Sequence, residues 1–163
     1  MKLTQDLVRH LFEYDASRGV LIRKVQCGKR GKIGTIAGSK TQKGYFSVQI
    51  DGKPYFVHRV IFLYVRGRNP EEVIDHINGI KGDNRIENLR EITQSENNHN
   101  RRQPSVSNKS GYLGVCWSKA VKKWHAKIRL NNIVTHLGYF DDPKLAHEKY
   151  LDAKRKMHPT CTI

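Results

Sequence analysis

The chain has 163 residues, with 30 Lys and Arg against 15 Asp and Glu, and a formal net charge of +15 at pH 7. This length admits one ordinary domain or two to three small modules, and 37% hydrophobic with 28% charged residues excludes a disordered chain. So large a positive charge favours an acidic partner, of which nucleic acid is the commonest, and no apolar run is long enough to predict a membrane span.

The charge is distributed unevenly. Residues 1–72 carry 14 Lys and Arg against 6 Asp and Glu, residues 73–103 carry 5 of each, and residues 104–163 carry 11 against 4. Two basic regions therefore flank a neutral centre. The three widely spaced cysteines, Cys27, Cys116 and Cys161, predict neither a disulfide framework nor a zinc site, so we expect reduced thiols in a cytoplasmic protein.

Residues 1–72 are predicted to form a helix followed by a β-rich basic segment. TQDLVRHLFEY places its apolar residues on one helical face behind Thr4, a plausible N-cap. VLIRKV indicates a strand, glycine-rich residues 28–44 indicate a basic loop or loosely paired ribbon, and YFSVQI-DG-KPYFVH indicates a hairpin, because Asp-Gly suits a tight turn. RVIFLYVRG predicts a short buried helix ended by Gly67. At its start His58 and Arg59 are candidate substrate contacts, of which we assign Arg59 to DNA binding; a buried polar pair formed by the two residues is the alternative.

The neutral centre, residues 73–103, opens with Asp75 and His76 side by side at the end of a short strand. INGIKGDN is predicted to be a loop, IENLREI a second strand, and TQSE a capping box that begins a helix. A unit this small cannot build a core of its own, so we expect a metal ion to organise it.

The residue types of the centre indicate hydrolytic chemistry. Asp75 offers an anionic oxygen and Asn97 a carbonyl oxygen, ligands that suit Mg²⁺ or Mn²⁺ rather than zinc. His76, with an ordinary pKa near 6.5, can be neutral at working pH and accept a proton from water. A base beside a metal-binding carboxylate, between basic regions, predicts hydrolysis of a phosphodiester.

The segment DHINGIKGDNRIENLREITQSEN resembles the HNH nuclease motif of phage and intron-encoded homing endonucleases, whose fold is a ββα-metal unit. The resemblance implies that Asp75 and Asn97 hold one divalent cation, that His76 is the general base, and that Asn88 fixes the loop carrying the base. It implies no small-molecule cofactor. Many members of that family end the motif in His, where this chain has Asn97, and His99 stands two residues later; the spacing favours Asn97 as the ligand.

After a polar linker at residues 104–110, residues 111–158 are predicted to form three strands and a helix. GYLGV, KWHAKI and LGYF, followed by a helix bearing Ala and Tyr, resemble an AP2 DNA-binding domain, whose sheet lies in the major groove. Strand alternation places Trp124, Ala126 and Ile128 on one face and His125, Lys127 and Arg129 on the other. The predicted DNA contacts in this module are Lys123, Lys127 and Arg129.

Together these features predict an α+β protein with a ββα-metal nuclease core, an N-terminal β-rich segment and a C-terminal AP2-like module. The predicted function is metal-dependent cleavage of double-stranded DNA by a monomer or homodimer. A non-enzymatic DNA-binding regulator with a degenerate nuclease core is the alternative. A nuclease acting on RNA is less favoured, because AP2-like sheets bind duplex DNA.

Overall fold

The structure is a computed structural model, and it describes residues 3–28, 31–158 and 161. It mixes helices and strands, as predicted, and divides into two compact units, residues 1–94 and 95–163. None of the helices in the described residues combines the length and the apolarity needed to cross a bilayer.

The first unit opens with helix α1, Gln5–Leu11, capped by the Thr4 side chain as predicted. The helix is shorter than the sequence pattern indicated, since strand β1, Phe12–Asp15, follows at once and pairs antiparallel with β2, Val20–Arg23. Tertiary contacts favour the strand: Phe12 is 2% exposed, and the Tyr14 hydroxyl accepts a hydrogen bond from the Ile86 N–H at 2.9 Å.

Short strands complete two small sheets in this unit. Strand β3, Ile36–Ala37, pairs with β2. The second sheet contains β4, Ser39–Lys40, β5, Phe46–Ile50, and β6, Lys53–Phe56, in that order. The predicted hairpin is confirmed, because Asp51 and Gly52 join β5 to β6 with φ of 49° and 75°. Residues 29 and 30, in the predicted loop, lie outside the described residues.

Helix α2, Val57–Arg66, supplies much of the core and ends at Gly67, whose φ of 74° suits a glycine. Strand β7, Val73–His76, pairs antiparallel with β8, Leu89–Ile92. Residues 86–88 form a 3₁₀ turn instead of continuing the predicted strand. Ile74 and Leu89 belong to the same buried cluster as α1, α2 and the β1–β2 hairpin. The central segment therefore packs on a protein core, and its small size gives no reason to require a metal.

The second unit contains the predicted three strands and a helix. Its elements are β9, Val115–Ser118, β10, Lys123–Leu130, β11, Ile133–Phe140, and α4, Pro143–Met157. β10 lies between its two neighbours, and Val115, Ala126 and Ala146 form the centre of a small core. Helix α3, Gln94–His99, begins at the division between the units. The resemblance of this module to an AP2 domain stays a prediction.

Candidate active site

Two paired strands carry the Asp-His pair. β7 and β8 align Asp75 with Arg90 and His76 with Leu89. Because successive side chains of a strand point to opposite faces, His76 is turned inward, with 6% of its surface exposed, while Asp75 is half-buried on the other face.

A buried asparagine orients the His76 ring. His76 Nε2 lies 3.1 Å from Asn84 Oδ1, and Asn84 is itself 3% exposed. An amide oxygen only accepts hydrogen bonds, so Nε2 carries the proton in this arrangement. In the neutral ring, Nδ1 is then the nitrogen that can accept a proton, which is the property a general base needs.

Asn88 closes the loop between the two strands. Its Oδ1 accepts a hydrogen bond from the Asn78 N–H at 3.0 Å, and its Nδ2 donates to the Asp83 carbonyl at 2.8 Å. Asn88 is 6% exposed, and both bonds are partly buried. One side chain thereby joins the two ends of the loop that carries Asn84.

An ionised carboxylate braces the same loop. Asp83 accepts a hydrogen bond from Asn78 Nδ2 at 2.7 Å and two from the Arg85 guanidinium at 2.8 and 2.7 Å. The bonds from Arg85 hold the pKa of the Asp83 carboxyl well below its usual range. From the sequence, Asn84 is predicted only to be a turn residue. It follows His76 by eight residues in a loop, and this spacing does not indicate that the two side chains meet.

Asp75 is the predicted metal ligand in the first unit. Its Oδ2 accepts two hydrogen bonds from the Arg90 guanidinium, at 3.0 and 2.9 Å. Asn97, the second predicted ligand, is half-buried on α3 in the second unit. A carboxylate and an amide oxygen are hard donors, so in chemical type the pair fits Mg²⁺ or Mn²⁺. Among the described residues no three His, Cys, Asp or Glu side chains cluster as metal ligands, but the predicted set includes only one residue of those types.

Two further aromatic rings contact His76, and a third stacks on one of them. The Tyr45 ring centroid lies 6.0 Å from that of His76, and the His58 ring meets His76 edge-on at 5.3 Å. Phe56 stacks on His58 at 5.3 Å. His58 is 6% exposed, and its Nδ1 has no hydrogen-bond partner within the part of the chain that the structure describes. Burial, and then the neighbouring His76, lower the pKa of His58 to about 4, so this ring is neutral at physiological pH.

Arg59, a predicted DNA contact, is bonded to the chain itself. Its guanidinium donates to the Pro70 carbonyl at 3.1 Å and to the Glu72 carbonyl at 3.3 Å. Both bonds tie α2 to the segment that enters β7. Contact of Arg59 with DNA stays a prediction.

The other predicted DNA contacts lie on β10 in the second unit. Lys127 and Arg129 are exposed, while Lys123 is half-buried and forms an ion pair with Asp141 at 3.1 Å. His99, the alternative metal ligand, stacks on His158 with ring centroids 4.2 Å apart. That stacking gives His99 a packing role within the second unit.

Comparison with known proteins identifies the segment that contains these strands. Residues 55–99 match the family model described as HNH endonuclease. They form an HNH endonuclease domain. All four residues predicted from the motif, namely Asp75, His76, Asn88 and Asn97, lie within this HNH domain, and so do His58 and Asn84.

Two relatives share parts of the chain. The uncharacterized HNH endonuclease L247 of Acanthamoeba polyphaga mimivirus is 43% identical over an alignment of 70 residues, and the match covers 38% of this chain and 18% of that protein. The HNH homing endonuclease I-HmuI, solved in a study of DNA binding and cleavage, is 28% identical, with a TM-score of 0.41 over 55% of this chain and 50% of its own. The chain therefore spans one half or less of either relative's length.

Proposed function

We propose that the protein is a DNA endonuclease that hydrolyses a phosphodiester bond. The observation that carries this proposal is the buried bond from His76 Nε2 to Asn84, within an HNH domain, because it directs the basic Nδ1 of the neutral ring away from its anchor. The net charge of +15 supports a nucleic-acid substrate. The exposed Lys127 and Arg129 on β10 support contact with the duplex backbone.

In the proposed reaction, His76 Nδ1 accepts a proton from water as the water oxygen attacks phosphorus. The bond from phosphorus to the 3′ oxygen breaks, and a water molecule or a group of the substrate protonates the departing oxygen. Asn84 holds the His76 ring in the tautomer that this step requires, and Asn88 holds the loop that carries Asn84.

We further propose that Asp75 and Asn97 hold one Mg²⁺ or Mn²⁺. When bound, such a cation supplies Lewis-acid stabilisation of charge on the phosphate and on the leaving oxygen. The assignment of Asp75 is supported by its half-buried carboxylate on the face of β7 opposite to His76, and that of Asn97 by its spacing in the motif. The Arg90 guanidinium donates two hydrogen bonds to the Asp75 carboxylate and so orients it.

Supercoiled plasmid DNA tests the proposal directly. With Mg²⁺ or Mn²⁺ the protein should convert it to nicked or linear forms, and EDTA should stop the conversion. His76→Ala should slow the reaction by roughly 10²–10⁴-fold, with little change in DNA affinity. Tight DNA binding without cleavage under every metal condition would instead support the non-enzymatic regulator.

A further inference from the structure

Lys81 lies in the loop that joins β7 to β8, residues 77–88, which we call the HNH loop. Its ammonium group is held in place although the residue is exposed. Lys81 Nζ donates to the Lys43 carbonyl at 3.0 Å and lies 5.0 Å from the centre of the Tyr45 ring. The lysine stem passes close to Gly44, where a Cβ atom would lie 3.7 Å from Lys81 Cδ. A lysine on a protein surface ordinarily samples many rotamers, so these two contacts with one turn, residues 43–45, restrict this one.

The contacts that hold Lys81 leave its charge uncompensated. Three carboxylates of β7, β8 and the loop between them are paired with arginines: Asp75 with Arg90, Asp83 with Arg85, and Glu91 with Arg68. Lys81 takes part in no ion pair among residues 3–28, 31–158 and 161. A carbonyl oxygen and an aromatic face attract an ammonium group without neutralising it.

Lys81 and His76, the proposed base, both contact the Tyr45 ring. The centroid of the Tyr45 ring lies 6.0 Å from the centroid of the His76 ring and 5.0 Å from Lys81 Nζ. The loop that carries Lys81 also lies close to strand β5, which follows Tyr45. At Gly82 a Cβ atom would be only 3.2 Å from the Phe46 ring. The ammonium group of Lys81 and the imidazole of His76 are thus neighbours of the same aromatic ring.

We propose that Lys81 binds a backbone phosphate of the DNA at the cleavage step. This inference rests on the proposed nuclease function and adds a specific substrate contact to it. A cation positioned before the substrate arrives stabilises developing negative charge without reorganising during the reaction. Tyr45 acts as a positioning residue, since its ring orients the ammonium group and packs against His76.

Lys24 provides a matched control. It is an exposed lysine of the first unit, and its Nζ donates to the Arg9 carbonyl at 2.9 Å. Lys24→Met and Lys81→Met therefore each remove one positive charge and one bond to a carbonyl. We expect Lys81→Met to lower single-turnover cleavage at least about tenfold, as loss of one transition-state donor does, and Lys24→Met to change it less than twofold. Lys81→Arg should keep most of the rate, and Lys81→Gln should behave like Lys81→Met.

Substrate analogues identify the phosphate that Lys81 binds. Once the cleaved bond is mapped, single phosphates around it are replaced by uncharged methylphosphonates. One replacement should slow the wild-type protein about as much as Lys81→Met does. The same replacement should slow Lys81→Met no further, because that variant has no ammonium group to bind the phosphate. The log–log salt slope of DNA binding should also fall by about one for Lys81→Met.

Two failures are distinguishable. If the wild-type protein does not cleave DNA, the proposed function is wrong. If the wild-type protein cleaves and Lys81→Met and Lys81→Gln both match Lys24→Met in rate and salt slope, then Lys81 is an ordinary surface lysine and the inference is overturned. Additive effects of Lys81→Met and of every methylphosphonate would overturn it as well.

Discussion

At the scale of single residues, the orientation of His76 depends on Asn84. Asn84→Ala removes the acceptor of the buried Nε2–H, which favours other tautomers and rotamers of the ring. We expect cleavage to fall roughly 10²-fold, as small displacements of catalytic groups commonly cause, with DNA affinity retained. Rates of plasmid nicking at saturating DNA check this. Asn69→Ala, at an exposed position of the same unit, is the control and should cleave like wild type.

The metal ligands make a second prediction at this scale. Asp75→Ala and Asn97→Ala should each raise the Mg²⁺ or Mn²⁺ concentration needed for half-maximal cleavage, because each removes a hard oxygen donor. His99→Ala should leave that requirement unchanged, since His99 stacks on His158. Metal titrations of cleavage by the three variants compare them. A raised requirement in His99→Ala alone would reassign the ligand to His99.

The buried His58 should make the free energy of unfolding depend on pH. Its folded-state pKa of about 4 lies below its ordinary 6.5, so between these values the unfolded chain binds a proton that the folded chain does not. Stability therefore falls as pH drops from 6.5 towards 4, by up to roughly 3 kcal/mol from this residue. His58→Phe should reduce that acid loss. Urea unfolding at pH 7 and 4.5 measures it, and equal losses in the variant and wild type would contradict the assignment.

At the scale of elements, the β1–β2 hairpin supports the HNH loop. Gly19, with φ of 65°, ends the hairpin turn, and a Cβ atom there would lie 2.5 Å from the Arg85 N atom and 2.8 Å from the Asn84 carbonyl carbon. Gly19→Ala must displace the backbone that carries Asn84. We expect a loss of about 2 kcal/mol or more in the free energy of unfolding, together with slower cleavage.

Gly28→Ala is the matched control for this change. Gly28 has nearly the same φ, 62°, but a Cβ atom there would meet no atom of the residues that the structure describes within 4 Å. It should therefore show only the cost of the left-handed backbone conformation, about 1 kcal/mol. Equal stability and equal cleavage in the two variants would mean that the hairpin does not position the loop.

At the scale of the whole molecule, charge is concentrated outside the neutral residues 73–103. We therefore expect substitutions in the basic regions to change DNA affinity and substitutions at residues 73–103 to change the cleavage rate. Lys127→Ala with Arg129→Ala should flatten the log–log salt slope of DNA binding by about 0.9 for each phosphate that the variant no longer binds. Lys123→Ala should change it less, because Asp141 already neutralises that side chain. Gel-shift titrations against salt measure the slopes. An unchanged slope in the double variant would assign DNA binding to other parts of the chain.

Much of the local structure could be predicted from the sequence because its signals are local. Thr4 caps α1, Asp51 and Gly52 form the hairpin turn, and Gly67 ends α2, each through its own backbone and side-chain preferences. The place of Asp75 and His76 at the end of a strand is predicted as well, from the short apolar lead-in before them, and β7 confirms it.

Only the tertiary structure decided the features that depend on residues far apart in the chain. Phe12–Asp15 is a strand because β2 and Ile86 supply partners that a continued helix would lose. The buried, neutral state of His58 and the fixed ammonium group of Lys81 result from rings and carbonyls contributed by other elements. Sequence determined which chemical groups are present and their local backbone; long-range packing determined which of them meet, because burial and hydrogen-bond partners depend on distances in space, not along the chain.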